Sequence, residues 1–157
     1  MNTMFGIALV LSHVMAQIET PATSSTEVQR LAFGLLRSCQ YCENSEVGAF
    51  LVRGDDGGLA LVPWPNTKPT YHCVRWDGPP PQHIIGVIHT HPRSLPRPSR
   101  QDILEARRLD LPFYVVSLWD LCLAEPAGRV TCDPWRPDIR ATSGSPAASP
   151  DPPHSGH

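Results

Sequence analysis

Charge of either sign is scarce in this chain. Its 157 residues include 13 basic and 15 acidic side chains, a formal net charge of −2, so no strong field draws it to nucleic acid or to an anionic membrane. Lysine is nearly absent: Lys68 stands alone against 12 arginines, a skew that reads as base-composition bias of the genome and not as chemistry. Long apolar runs are missing as well. The strongest terminal one, residues 4–16 (MFGIALVLSHVMA), has 13 residues, short of the roughly 18–20 that span a bilayer. A second Cys-x-x-Cys is also lacking, so Cys39-x-x-Cys42 has nothing with which to complete a structural zinc tetrad.

What is present suits one domain. With 41% hydrophobic residues the chain can bury a core of its own but has no length for a second. Residues 4–16 fit two descriptions. Val14-Met15-Ala16 before Gln17 resembles a secretory cleavage site, which would make 1–16 a signal peptide. Against this, no Lys or Arg precedes the run and His13 interrupts it, and Gly6–Ser12 also reads as a first strand. A cytoplasmic and an exported protein both remain open. The five cysteines (Cys39, Cys42, Cys73, Cys122, Cys132) are read as buried thiols, with one necessarily unpaired.

Along the chain, the Ser/Thr-rich stretch 21–26 ends in an N-cap, Ser25 or Thr26. It opens a helix through Arg37 whose apolar face is Val28, Leu31, Leu35 and Phe33 with Leu36. Gly34 in that helix suggests close approach of a neighbouring strand. Residues 47–52 and 59–62 form a hairpin across Arg53-Gly54-Asp55-Asp56-Gly57-Gly58, where the Arg-Gly-Asp triplet is turn chemistry and not an adhesion signal. Loops around at most one short strand fill 63–81. Residues 112–118 (PFYVVSL) read as a buried strand, and 119–123 with 129–132 as a terminal hairpin. From Pro134 the composition turns to Pro, Ser, Ala, Gly and His. The domain is therefore expected over 17–135, with 136–157 a disordered tail in which His154 and His157 are tail residues.

The chemistry concentrates in 84–102, IIGVIHTHPRSLPRPSRQD. Residues 84–91 are a strand, so His89 and His91 share a face and Thr90 points the other way. After a Pro/Arg/Ser loop, Ser99 is placed as N-cap and Asp102 falls in the first turn of a helix that runs to about Asp110, before Leu111-Pro112. His-x-His alone is common by chance, and Ser-x-x-Asp alone is a capping box. Together they supply two imidazoles and a carboxylate. Three protein ligands with an open fourth position make a catalytic zinc site, not a structural one.

The series His89-Thr-His91, seven residues, Ser99, two residues, Asp102 resembles the signature of the JAMM, or MPN-plus, zinc metallopeptidases of the prokaryotic JAB-domain type. The resemblance extends over roughly 26–132. It implies an upstream glutamate opening a strand, and Glu46 in Glu46-Val47-Gly48 matches, with Glu43 nearby as the other acid. It implies an α/β (α+β) fold with cytidine-deaminase-like layering: a single JAMM/MPN-like domain in which a mixed, curved β-sheet is flanked by two helices. It further implies one Zn2+ per chain on His89, His91 and Asp102, Glu46 as general base and acid, and Ser99 as oxyanion donor. The region of Trp64 and Trp76 borders the substrate groove in that family, although both residues also suit a core edge. The implied function is hydrolysis of a peptide or isopeptide bond in a peptide or ubiquitin-like protein substrate. The other readings are an exported cell-wall- or toxin-type hydrolase with the same zinc chemistry, and a zinc-binding interaction module without peptidase activity.

Overall fold

The computed structural model describes residues 19–42, 46–64, 79–91 and 95–141. Their order is α1 (Thr26–Ser38), β1 (Gly48–Arg53), β2 (Leu59–Pro63), β3 (Ile84–Thr90), α2 (Arg100–Leu109), β4 (Phe113–Val116), β5 (Asp120–Ala124), β6 (Val130–Pro134) and α3 (Pro137–Ala141). The six strands form one mixed sheet in the order β2-β1-β3-β4-β5-β6. Only β3 and β4 run parallel, and α2 is the crossover between them, as a parallel pair requires. The fold is the expected α+β arrangement.

Alternation along the strands sorts the side chains into two layers. Ala49, Ile88, Tyr114 and Leu123 lie in one cross-strand row and pack with Val28, Ala32 and Leu36 of α1. Phe50, Val87, Phe113 and Ala124 form the neighbouring row and pack with Ala106 of α2 on the opposite face. One step beyond the first row, on the same α2 face as the second, runs Gly48–His89–Val115–Cys122–Cys132. The sheet thus carries His89 on the face that α2 covers.

The turns follow their residues. In the β1–β2 hairpin the Gly54 amide donates to the Gly58 carbonyl at 2.8 Å and the Gly57 amide to the Gly54 carbonyl at 2.9 Å, Gly57 taking the positive φ of 83° that glycine permits. In the β5–β6 hairpin the Gly128 amide closes on the Glu125 carbonyl at 2.8 Å.

Three expectations are corrected. Gly34 is exposed with nothing within 4 Å of a built Cβ, so it marks no close strand; it sits on the outer side of α1. The expected tail, 136–157, begins too early, because 137–141 form α3 and Ile139 is 4% exposed, packed in the α1 core beside Trp135. The buried Gln29 explains why: its amide donates to the Thr23 and Pro134 carbonyls, at 3.0 and 3.2 Å, and its oxygen accepts from the Arg136 amide at 2.9 Å. A polar side chain within an apolar helix face gives no such hint in sequence. Finally, four cysteines are not free thiols: Cys39 is bonded to Cys42 and Cys122 to Cys132. The second pair lies in direct register across the hairpin, each cysteine five residues from Ala127. The 1–16 segment, Glu43, Cys73, Trp76, His154 and His157 lie outside the described residues.

Candidate metal centre

β3 delivers two histidines. His89 is within the strand and His91 just past its end, still held to the sheet by its amide donating to the Val116 carbonyl at 2.9 Å. α2 delivers the acid. Ser99 is its N-cap, accepting from the Asp102 amide at 3.2 Å while its own amide donates to Asp102 Oδ2 at 2.6 Å. This reciprocal box fixes the carboxylate as it starts the helix. The helix ends on Asp110, in the left-handed conformation at φ 53°.

The three side chains meet. His89 Nε2 lies 3.0 Å from His91 Nε2 and 3.1 Å from Asp102 Oδ1, and His91 Nε2 lies 3.3 Å from Asp102 Oδ2. They are buried, at 7%, 5% and 9% exposure. On its other side, His91 Nδ1 faces the Leu95 and Arg97 carbonyls at 2.8 and 3.1 Å. A carbonyl can only accept, so Nδ1 carries a proton, and Nε2, facing His89 and Asp102, is the nitrogen that donates to the carboxylate when protonated and offers a lone pair when not. Such an outward hydrogen bond is how ligating histidines are oriented. Leu95 and Arg97 contribute through backbone atoms, which no residue type announces in sequence.

The charges agree with this placement. Burial opposes ionisation of Asp102, yet hydrogen bonds from His89 and His91 outweigh it and hold its carboxyl far below the usual carboxylate range. Burial likewise pulls the His91 pKa down, but its hydrogen bond with Asp102 and the fields of Asp102 and Glu46 together leave it raised. Glu46 therefore lies close enough for its charge to reach His91. It is half-buried two residues before β1, where Gly48 stands opposite His89. Trp64 covers that glycine so closely that a Cβ would meet its ring at 2.7 Å, and the ring also packs on Phe50.

His89, His91 and Asp102 offer ligand atoms within 4.8 Å of one another. Two imidazole nitrogens and an ionised carboxylate are the donor chemistry of a borderline divalent cation, so the cluster fits a metal ion. Asp120, Cys122 and Cys132 are equally close, but the bond between the two sulfurs occupies both cysteines.

No curated protein matches the chain. A family model for prokaryotic homologs of the JAB domain matches residues 34–130, which take in Glu46, Ser99 and the clustered His89, His91 and Asp102. The match covers more than half of the sequence, and the chain belongs to the family of prokaryotic homologs of the JAB domain.

Proposed function

We propose that this protein is a zinc-dependent hydrolase of peptide or isopeptide bonds, with His89, His91 and Asp102 holding one zinc ion per chain. The observation that carries the reading is the convergence of two Nε2 atoms and one ionised carboxylate, with the charge of a second acid, Glu46, reaching His91. Zinc bound there would supply Lewis acidity, activating a water and polarising the substrate carbonyl. Glu46 then takes the proton from the attacking water and passes it to the leaving amine. Ser99 donates to the developing oxyanion. Its Oγ accepts from the Asp102 amide, which leaves the hydroxyl proton to be aimed outward. The substrate class in this reading is a peptide or a ubiquitin-like protein conjugate.

The reading is tested by elemental analysis and a peptide and isopeptide cleavage screen on the same preparation. Near-stoichiometric zinc with cleavage supports it. Zinc without cleavage of any substrate leaves a metal-binding interaction module, and absence of zinc removes both.

One observation favours the exported form of this hydrolase: two disulfides among the described residues are stable in an oxidising compartment and rare elsewhere. N-terminal sequencing of the protein expressed from Met1 decides it; cleavage after Ala16 supports export, and an intact Met1 contradicts it.

A further inference from the structure

Thr90, between the two histidines, faces away from the metal cluster and is fully buried. The β1–β3 register pairs Gly48 with His89, and one step further it sets Val47 opposite Thr90. A regular antiparallel ladder would there exchange two backbone hydrogen bonds. Only one is backbone: the Thr90 amide donates to the Val47 carbonyl at 2.9 Å. The Val47 amide donates instead to Thr90 Oγ1, at 3.0 Å. A side-chain hydroxyl has taken the place of the main-chain acceptor, and β1 stops at Gly48, so the ladder gives way at the residue that follows Glu46.

The hydroxyl is itself fixed. Its proton is directed at Cys42 Sγ, 3.1 Å away, which turns an oxygen lone pair toward Val47. Cys42 ends a run of three left-handed residues, Gln40, Tyr41 and Cys42, with φ of 52°, 64° and 40°. Such a run is unfavourable for non-glycine residues. It is braced by the Tyr41 amide on the Leu36 carbonyl at 2.8 Å, the Cys42 amide on the Cys39 carbonyl at 3.0 Å and the Cys39–Cys42 disulfide. One hydroxyl thus ties the end of β3, between His89 and His91, to the segment that follows α1 and to the segment bearing Glu46.

We infer that Thr90 is a positioning residue for Glu46: its hydroxyl replaces a ladder carbonyl at Val47 and so sets where the carboxylate before Val47 stands relative to His89 and His91. The inference rests on the proposed role of Glu46 as the base. Its separate content is that geometry, not metal binding, is what Thr90 controls.

The test uses the full-length, zinc-loaded chain with Thr90→Val, which keeps shape and removes the hydroxyl, and Thr90→Ser, which restores it. Zinc content should stay at the parent value in both. In Thr90→Val the Val47 amide should exchange with solvent at least ~10-fold faster, the Glu46 carboxyl carbon resonance should move, and kcat should fall roughly 10- to 10²-fold with KM nearly unchanged. Thr90→Ser should return all three toward the parent. Should Thr90→Val not fold, Thr90→Ala is read the same way, since it removes the hydroxyl without setting a methyl against the Val47 amide. Parent-like Val47 exchange, an unmoved Glu46 resonance, or a kcat loss accompanied by zinc loss would each overturn the assignment. If the parent cleaves nothing, the hydrolase reading has failed, and the Glu46 resonance still decides whether Thr90 positions that carboxylate.

Discussion

Ser99 and Asp102 hold each other: the Ser99 amide donates to Asp102 Oδ2 at 2.6 Å while the Asp102 amide donates to Ser99 Oγ at 3.2 Å. The start of α2 and the acidic corner of the His89–His91–Asp102 cluster are therefore one structure. Ser99→Ala removes the cap acceptor but leaves the backbone amide on the carboxylate. It should lower stability by about 1 kcal/mol, retain zinc, and lower turnover by roughly 10- to 10³-fold. Calorimetry, elemental analysis and kinetics on one preparation check the three parts.

Removing a ligand should act differently. His89→Ala or Asp102→Ala leaves two donors of the three that lie within 4.8 Å, too few to retain zinc through dialysis. Elemental analysis reads this directly; full zinc content in either variant would mean that other residues bind the ion.

The pH dependence follows from the two shifted groups. Asp102 is depressed from its ordinary 3.8, so in metal-free protein its stabilising contribution is present above that value and is lost only as pH falls well below it. His91 is raised from 6.5, so its contribution is complete below 6.5 and fades as pH climbs through the raised value. The metal-free cluster is most stabilising between about pH 4 and 6.5. A metal must displace the His91 proton, so the gain in melting temperature on adding zinc should grow from pH 6 to pH 8. A gain independent of pH would remove His91 from the ligand set.

The Cys122–Cys132 bond closes a loop with a sequence separation of 10. Replacing both cysteines by alanine should cost roughly 2–4 kcal/mol on loop-entropy grounds, read from denaturant unfolding without reductant. Reductant, which opens Cys39–Cys42 as well, should cost the parent at least as much, and the double-alanine variant less than the parent.

Much of this was legible in sequence where the signal is local. The strand ending in His89-Thr90-His91, the capped helix beginning after Ser99, and both hairpins are set by alternation, a cap and turn glycines. The misses depend on partners distant in the chain. Gln29 has a polar side chain on an apolar face, and its partners at Pro134 and Arg136 lie more than a hundred residues on; without them Ile139 looks like part of a tail. Cys122 and Cys132 could have been paired by their equal distance from Ala127, a hairpin-register signal that composition does not carry. The Leu95 and Arg97 carbonyls act through backbone atoms. Thr90 was correctly turned away from the histidines by strand alternation, but its acceptor role required the register with Val47.

The central claim is the proposed role of Glu46 as the base: its charge acts on His91, and it is not among the residues whose ligand atoms cluster. The most direct measurement compares Glu46→Gln with the parent in zinc content and turnover on a substrate that the parent cleaves. Glutamine keeps the size of the side chain and cannot accept the proton. The account predicts unchanged zinc and melting temperature with turnover reduced roughly 10²-fold or more; full activity in Glu46→Gln would contradict it.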